Sequence, residues 1–407
     1  MRVISSLITF YCLLITEKSS PLISFYCLLI TDKVSPPLEK STMAQATEFD
    51  RTMMQRCLTL ARQALGRTSP NPLVGSVIVQ EGTIIGEGFH PGAGQPHAEV
   101  FALRQAAEKA RGATLYVNLE PCNHYGRTPP CSEAIMRAGI KKVVVGMIDP
   151  NPLVAGKGIQ RLESAGIETL VGVEESECLQ LNQGFIHRIT AKKPFGILKY
   201  AMTLDGKIAA TTGHSTWITS PASRQIVHQL RSACDAIIVG GSTVRQDNPH
   251  LTTHGLSDHN PLRVVMTRSL DLPSSAHLWD TSQFPTLVYT QVDSNVKLKQ
   301  QLLTKGVEVI ELTEVTPTLV MENLYQRGFC QVLWECGGGL SAAAIAEGMV
   351  QKIIAFIAPK IIGGIKAPTA VGDLGFQLMS QALQLENVTV NYLNPDIVIE
   401  GYLQIEQ

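Results

Sequence analysis

Four residues in the first half of the chain have types and spacing suited to metal chemistry. His97 and Glu99 stand two positions apart at a predicted helix start, and Cys122 follows a Glu-Pro pair at the end of a predicted strand. Cys131 opens a further predicted helix. One imidazole and two thiolates are suitable ligands for Zn²⁺ and leave the fourth tetrahedral position for water. Because zinc lowers the pKa of bound water to roughly 7, the pattern predicts a metal-assisted hydrolysis in which Glu99 moves protons.

The order of these residues matches the described signature of zinc deaminases, in which His-x-Glu is followed by Pro-Cys and a second cysteine. The sequence therefore predicts that His97, Cys122 and Cys131 bind one zinc for hydrolytic deamination of a cytosine-like ring. Helix N-termini at His97 and Cys131 place positive dipole ends beside the thiolates. The alternative is a purely structural zinc with a fourth protein ligand, which His90 or His124 could supply.

The spacing of the two cysteines departs from that signature, because eight residues separate them instead of two. The longer segment carries His124 and Arg127, whose side chains suit a polar or phosphorylated substrate. An ordinary surface loop is the alternative reading of this segment.

Composition narrows the class of substrate. Hydrophobic residues make up 44% of the chain and charged residues 17%, with a formal net charge of -1, which describes a globular protein. Basic and acidic residues balance over 43–190, whereas nucleic-acid binders usually carry a basic excess. The nine cysteines are irregularly spaced, so a secreted disulfide framework is not expected. We therefore expect a cytoplasmic enzyme with a small-molecule substrate and no nucleic acid as partner.

The N-terminus carries a tandem repeat with a period of 15, LITFYCLLITEKSSP at 7–21 and LISFYCLLITDKVSP at 22–36. Each apolar run is about ten residues long, against roughly 20 for a membrane-spanning helix. A signal peptide is the alternative, because Arg2 precedes an apolar stretch, but charged residues interrupt the run and no small-residue cleavage site follows. We expect residues 1–42 to be a non-native or disordered extension, with synthesis starting at Met43 and no membrane association.

From Met43 onward, strand-like and helix-like segments alternate, which predicts a mixed α/β sheet with helices on its faces. The first predicted helix covers 50–65, with Asp50 as its N-cap. The stretch 190–194 has two lysines and a proline and predicts a linker. The other elements predicted before it are strands 73–79, 83–88, 114–119, 142–147 and 169–173, and helices 96–110, 132–138 and 158–164.

Two glycine turns mark the second half, 195–407. Residues 236–241 (AIIVGG) and 332–339 (VLWECGGG) read as buried strands that end in glycines, and a helix is predicted at 340–346. Glycines at a strand-to-helix turn let backbone N–H groups approach a phosphate at the positive end of the helix. No G-x-G-x-x-G is present, so the Rossmann fingerprint is absent. The two turns, with the strand-to-turn segment 198–207, predict a phosphate-binding site of another kind.

Three motifs resemble those of the bifunctional riboflavin-biosynthesis deaminase/reductase family: NPLVG at 71–75, PCNHYGRTPPC at 121–131 and DPNPLVAGKG at 149–158. The resemblance covers 43–407. It implies a cytidine-deaminase-like α/β/α domain at 43–189 that deaminates 2,5-diamino-6-ribosylamino-4(3H)-pyrimidinone 5′-phosphate. It also implies a dihydrofolate-reductase-like α/β domain at 195–407 that reduces 5-amino-6-(5-phosphoribosylamino)uracil to its ribitylamino form with NADPH.

The resemblance further implies positions that contact cofactor and substrate. The positions that match the nicotinamide cofactor are Ala201, Trp217, Thr243, Asp247, Gly337, Gly338, Gly339, Leu340, Ser341, Ala342 and Ala343. The substrate positions in the reductase half are Lys199, Ser215, Arg231, Leu251, His254 and Glu335, with Asn71, His124 and Arg127 in the deaminase half.

One position departs from the family pattern, because His254 stands where the family often has a phosphate-binding arginine. A histidine carries full charge only below its pKa of roughly 6.5. The departure predicts weaker phosphate binding at high pH, or a larger share of the binding for Arg231. Arg268, after the R-V-V strand, is a candidate for the NADPH 2′-phosphate, and a solvated arginine is the alternative. We also expect the chain to form a homo-oligomer, a dimer or higher, because dimers dominate soluble assemblies.

Overall fold

The fold is taken from a computed structural model that describes residues 46–125, 129–152 and 154–404. The predictions for residues 1–42 and for Arg127 lie outside the described residues. Within the described ranges, no helix combines the length and the apolar character needed to cross a membrane.

The first half is built on one five-stranded sheet with the order β2-β1-β3-β4-β5. Strand β1 runs antiparallel to its two neighbours, while β3, β4 and β5 are parallel. Continuous buried runs in β1, β3 and β4 are typical of a sheet covered on both faces. The strands are β1 (Gly75–Gln80), β2 (Thr83–Phe89), β3 (Thr114–Leu119), β4 (Lys142–Met147) and β5 (Glu168–Val171).

The helix before this sheet corrects one prediction. Helix α1 covers Glu48–Arg62, so it begins and ends earlier than the predicted 50–65. Its N-cap is Thr47, whose hydroxyl accepts the backbone N–H of Asp50 at 3.1 Å, while the Asp50 carboxylate accepts the backbone N–H of Thr47 at 2.9 Å. Asp50 as N-cap was therefore wrong: Asp50 is the third residue of a capping box that satisfies two N–H groups at once.

The later helices of the first half agree with prediction in part. Helix α2 (Ala98–Ala106) ends before the predicted 110 and is followed by a 3-10 turn, Ala107–Ala110. Helices α3 (Cys131–Ala138) and α4 (Lys157–Ser164) match prediction to within one residue. Two helices were not predicted, α5 (Glu175–Leu181) and α6 (Gln183–Ala191). Because α6 extends into the predicted linker, residues 192–194 alone connect the helix to the next strand.

The second half contains a nine-stranded sheet with the order β10-β9-β8-β7-β11-β6-β12-β14-β13. The strands from β10 to β12 are parallel, and the last two add an antiparallel edge. They are β6 (Phe195–Thr203), β7 (Ala236–Gly240), β8 (Leu262–Met266), β9 (Thr286–Gln291), β10 (Glu308–Leu312), β11 (Gln331–Trp334), β12 (Lys352–Ala358), β13 (Leu385–Leu393) and β14 (Asp396–Leu403).

Neighbouring residues of these strands pack into different cores, as Ile237 and Ile238 of β7 do, because successive side chains point to opposite faces of a sheet. The mixed α/β class is confirmed. Since β7 and β11 are parallel neighbours, their carboxyl ends lie side by side. The helices are α7 (Pro221–Ser232), α8 (Gly241–Asp247), α9 (Val296–Thr304), α10 (Pro317–Gln326) and α11 (Gly338–Ala346).

Candidate functional site

Three side chains converge where α2, α3 and the end of β3 meet. The ligand atoms of His97, Cys122 and Cys131 all lie within 4.8 Å of one another. The Nδ1 of His97 is 3.2 Å from the Cys131 sulfur and 3.5 Å from the Cys122 sulfur. Among the described residues, no other group of His, Cys, Asp or Glu side chains offers such a set. An imidazole and two thiolates are the donors that zinc favours, so these residues fit the predicted ion.

Local structure explains why the three side chains are available. His97 is the N-cap of α2 and its ring caps no backbone group, and Cys131 is the first residue of α3. The backbone N–H of Cys131 donates to the Cys122 sulfur at 3.3 Å. Hydrogen bonds from Cys131 and His97 lower the pKa of the Cys122 thiol, despite its burial. These contacts favour the thiolate form of Cys122, which is the form that binds metal, whereas the contact with Cys122 and burial raise the pKa of the Cys131 thiol.

Glu99 lies in the first turn of α2 and is 3% exposed. Its Oε2 atom is buried and has no hydrogen-bond partner. Burial, followed by the charge of Cys122, raises the pKa of Glu99 to about 6. A buried carboxyl oxygen without a hydrogen-bond donor destabilises the folded protein unless a bound molecule supplies the donor. The Oε2 atom therefore indicates a place for a ligand.

His90 is not the fourth metal ligand that the sequence left open. Its Nδ1 lies 3.0 Å from the Pro96 carbonyl oxygen, and its Nε2 lies 3.0 Å from the side-chain nitrogen of Asn71. Both ring nitrogens are therefore already used. The ring stands edge-on to His97, with 5.5 Å between centroids, and so links Asn71 to the metal-ligand group. His124, the other candidate, is exposed and outside that group.

A buried carboxylate fixes the loop around these residues. Glu120 accepts backbone N–H groups from Asp149, Gly156, Gly158 and Ile159, at 3.2, 2.9, 2.8 and 3.3 Å. A side chain at Gly158 would lie 2.0 Å from the Pro121 carbonyl oxygen, so this position requires glycine. The motif at 149–158 is therefore held against the residue that stands two positions before Cys122.

A second cluster of charged side chains lies in the other half of the chain. Glu335 receives two hydrogen bonds from Arg231, at 2.7 and 3.0 Å, and its Oε2 is 3.6 Å from the Lys199 ammonium. Burial raises the pKa of Glu335, but Arg231 and Lys199 outweigh burial and hold it at about 2. Lys199, in contrast, has a lowered pKa, because burial outweighs the attraction of Glu335. Arg231 is therefore the stronger partner.

The two glycine turns meet beside this cluster. Helix α8 begins after its N-cap Gly240, and α11 begins after its N-cap Gly337. A side chain at Gly240 would lie 3.4 Å from Leu340, and one at Gly337 would lie 3.9 Å from the Ser242 hydroxyl. Two helix N-termini therefore approach each other, which is an arrangement suited to phosphate groups.

Several of the other predicted cofactor and substrate positions lie in or near the elements that carry these turns. The Ser215 hydroxyl donates to the Asp247 carboxylate at 2.8 Å, at the end of α8. Trp217 is 68% exposed, and the Arg224 guanidinium stacks over its ring at 4.4 Å. Thr243 lies in α8 and Ala201 lies in β6. Thr267 approaches Gly241 at the start of α8, which places the segment with Arg268 next to this turn.

His254 has a neighbour that sequence reasoning missed. The rings of His228 and His254 are 4.3 Å apart. His228 lies one helical turn before Arg231 in α7, and its Nδ1 is buried without a partner. Burial, then the charges of His254 and Arg231, lowers the pKa of His228 to about 4. Leu251 and His254 both adopt positive φ angles, 54° and 51°, and Leu251 is buried.

Comparisons with known proteins decide the family. The family described as the cytidine and deoxycytidylate deaminase zinc-binding region matches residues 47–147, and the RibD C-terminal domain family matches residues 194–399. The riboflavin biosynthesis protein RibD of Synechocystis sp. is 62% identical over 354 residues, which span 87% of this chain and 96% of that protein. The chain belongs to the RibD family.

Solved structures of RibD proteins agree with this assignment. Acinetobacter baumannii RibD is 41% identical, with a TM-score of 0.78 over 88% of this chain and 99% of that one. A Thermotoga maritima diaminohydroxyphosphoribosylaminopyrimidine deaminase/5-amino-6-(5-phosphoribosylamino)uracil reductase is 36% identical, with a TM-score of 0.78 over the same shares. This RibD family member is a bifunctional riboflavin-biosynthesis enzyme, with a zinc-binding deaminase domain followed by a reductase domain. The family, the fold and the paired activities predicted from sequence are confirmed.

The RibD family assignment leaves the role of each side chain as a prediction. Sequence reasoning missed two residues that contact the predicted sites, Glu120 and His228, and it considered His90 only as a metal ligand. The position of His228 on one helix face with Arg231, three residues away, was the available signal for that residue.

Proposed function

We propose that the deaminase domain acts on 2,5-diamino-6-ribosylamino-4(3H)-pyrimidinone 5′-phosphate, and the name of the Thermotoga maritima protein, a diaminohydroxyphosphoribosylaminopyrimidine deaminase, supports this. Water replaces the exocyclic amine of the ring with a carbonyl oxygen, and ammonia leaves. The observation that carries the proposal is the buried, unpartnered Oε2 of Glu99 beside the His97, Cys122 and Cys131 group. We assign this reaction to residues 43–189.

Glu99 is the proposed proton carrier of this reaction. His97, Cys122 and Cys131 would hold the zinc, which when bound supplies Lewis-acid activation of water near neutral pH. Glu99 would accept one proton from the attacking water and deliver it to the ring nitrogen. It would then take the second proton from the added hydroxyl and deliver it to the amine, which leaves as ammonia while the carbonyl forms. Because burial keeps the pKa of Glu99 near 6, the carboxyl can both accept and return a proton near neutral pH.

We assign substrate binding in this domain to Asn71, His124 and Arg127. The hydrogen bond from Asn71 to His90 supports the first assignment, because it holds the amide beside His97. The assignments of His124 and Arg127 rest on the family motif at 121–131.

We propose that the reductase domain, 195–407, reduces 5-amino-6-(5-phosphoribosylamino)uracil to the ribitylamino product. NADPH, when bound, supplies the hydride, and the protein orients cofactor and substrate. The paired N-termini of α8 and α11 would hold the cofactor phosphates, and the other residues that would contact the cofactor are Ala201, Trp217, Thr243, Asp247 and the segment 337–343. Substrate is held by Ser215, Leu251, His254 and the cluster of Lys199, Arg231 and Glu335.

The chain can be tested with the purified diamino substrate, first without and then with NADPH. We expect ammonia release without NADPH, and NADPH oxidation once the deaminated product has formed. In Glu99→Gln, which keeps the shape of the side chain, ammonia release should fall at least ~100-fold, the typical contribution of a general acid–base group. Zinc content, measured by metal analysis, should stay at the wild-type value. Ammonia release at the wild-type rate would refute the role of Glu99, and NADPH oxidation before deamination would refute the order of the steps.

We also propose that the chain forms a homo-oligomer through the edge strand β13. Its Val388, Val390 and Tyr392 side chains are exposed, and an edge strand presents unpaired backbone groups to a second strand. A second copy of the chain would cover the exposed apolar side chains and pair with the free backbone groups of β13. The molar mass of the protein, measured by light scattering as it elutes from a size-exclusion column, tests the proposed oligomer. A monomer at micromolar concentration would contradict the proposal.

A further inference from the structure

The segment at 66–71, which ends in Asn71, is packed against the reductase domain. A side chain at Gly66 would lie 2.2 Å from the Ser232 carbonyl oxygen and 2.7 Å from the His259 ring. The Cys330 thiol contacts the Pro70 carbonyl oxygen at 3.7 Å. This segment, which we call the joint segment, is therefore in close contact with residues that precede the strands β7, β8 and β11.

One carboxylate binds the joint segment to both strands. The Oδ2 atom of Asp235 accepts the hydroxyl of Ser69 at 2.9 Å and the backbone N–H groups of Cys330 and Gln331 at 2.7 and 2.9 Å. Asp235 directly precedes β7, and Gln331 is the first residue of β11. Burial raises the pKa of Asp235, but the donors Gln331, Ser69 and Cys330 stabilise its ionised form, to which hydrogen bonds are about twice as strong as to a neutral acceptor. The position of Ser69 is therefore set by the central strands of the reductase domain.

From Ser69, a chain of contacts continues to the metal ligands. The backbone N–H of Asn71 donates to the Thr68 carbonyl oxygen at 2.8 Å, which closes a turn around Ser69. Because the Nδ1 of His90 faces the Pro96 carbonyl oxygen, Nδ1 carries the proton, and Nε2 accepts the Asn71 amide at 3.0 Å. This bond fixes the Asn71 amide with its oxygen turned away from His90. Pro96 directly precedes His97.

We propose that Asp235, a residue of the reductase domain, is a positioning residue for the deaminase reaction. Through Ser69 it fixes the joint segment, and through Asn71 and His90 the segment sets the geometry beside His97. This inference rests on the proposed function, in which Asn71 binds the deaminase substrate. The reductase domain would thus contribute to the geometry of the deaminase site, in addition to catalysing the reduction.

Ser69→Ala tests the proposal with a small change, because it removes the cross-domain hydrogen bond and leaves the contacts of Asp235 with β11. We expect kcat/KM for ammonia release to fall about tenfold, mainly through a higher KM, which is the size of one lost hydrogen bond to a charged group. Kinetics of NADPH oxidation with the deaminated substrate and zinc content should be unchanged. Ser69→Thr keeps the hydroxyl and should retain most of the deaminase activity. Asp235→Asn should raise the KM for deamination, as Ser69→Ala does.

Tyr402→Phe is the matched control, because it removes a different hydrogen bond, from the Tyr402 hydroxyl to Gln183 at 3.0 Å. It should leave the deaminase KM unchanged. The inference is overturned if Ser69→Ala and Asp235→Asn both keep the wild-type KM for deamination. It is also overturned if both activities fall in parallel with thermal stability, since that would indicate general destabilisation. A wild-type chain that releases no ammonia would refute the proposed function, and this inference with it.

Discussion

Replacement of Glu335 by glutamine tests the buried charge cluster of the reductase domain. The Glu335 side chain is 9% exposed and bridges Arg231 and Lys199. In Glu335→Gln, two buried cations lose their counter-charge, and one amide N–H₂ faces the donors of Arg231. Removing one partner from a buried ion pair typically costs about 3–5 kcal/mol, because the remaining charge is left uncompensated.

The shift in the pKa of Glu335 gives an independent magnitude. Its pKa is lowered from 4.5 to about 2 in the folded chain, and at about 1.36 kcal/mol for each pKa unit this corresponds to about 3 kcal/mol. Since the folded pKa lies below the unfolded one, this stabilisation is fully present above about pH 4.5 and is lost as the pH falls towards 2. We therefore expect Glu335→Gln to lower the free energy of unfolding by about 3 kcal/mol at pH 7.

Tryptophan fluorescence in urea measures this loss in one domain. All three tryptophans, Trp217, Trp279 and Trp334, lie in the reductase half, and the last two are buried. Extrapolation of the transition to zero urea gives the free energy of unfolding for wild type and variant. The control is Glu308→Gln, which removes an exposed ion pair with Arg327 and should cost under about 1 kcal/mol.

Two results would refute this reasoning. The first is a Glu335→Gln chain within about 1 kcal/mol of wild type at pH 7, which would mean that the cations are solvated and not buried. The second is a difference between wild type and variant that stays constant as the pH falls from about 5 towards 3, since protonation of Glu335 should narrow it.

Three further predictions follow from the sites. Removal of zinc by a chelator should abolish ammonia release but leave NADPH oxidation with the deaminated substrate intact, because His97, Cys122 and Cys131 lie in the other domain. Equal loss of both activities would contradict the separation of the two sites. Burial and the charge of Arg231 lower the pKa of His254 below its usual value of about 6.5, so the KM for the phosphorylated reductase substrate should fall mainly as the pH falls below about 6.5. His254→Arg should remove that pH dependence, and an unchanged profile would exclude the contact. Gly158→Ala places a methyl 2.0 Å from Pro121 and should lower the free energy of unfolding by about 1–3 kcal/mol together with zinc content.

The sequence predicted that His97, Cys122 and Cys131 come together, because zinc-site chemistry restricts both the type and the order of the residues. His97, Cys122 and Cys131 could be grouped without the fold, and three of the five strands of the first sheet, β2, β3 and β4, could be placed to within one residue. The predicted N-cap of α1 was wrong, although aspartate is a favourable N-cap residue. With Thr47 as N-cap and Asp50 at the third helical position, the two side chains satisfy two backbone N–H groups and not one. Helices α5 and α6 were missed because they are only 7 and 9 residues long, and short helices are stabilised by packing more than by propensity.

The contacts that support the predicted metal ligands could not be predicted from the sequence, because they join residues that are far apart in the chain. Ser69 and Asp235 are 166 positions apart, and only the parallel pairing of β7 with β11 brings the latter to the joint segment. Asn71 could be named from a motif, but its bond to His90 depends on the turn at the end of β2.

Glu120 shows why the motif at 149–158 has its composition. The carboxylate of Glu120 binds four backbone N–H groups of that motif and its next residue, and Cys122 follows two positions later on the same short segment. A loop fixed to Glu120 is therefore fixed relative to a zinc ligand through a few covalent bonds, with little freedom to move. Glycine at 158 permits this approach, because any side chain would meet the Pro121 carbonyl oxygen. The motif thus supports the geometry of the zinc site from the backbone and does not need to add a ligand to it.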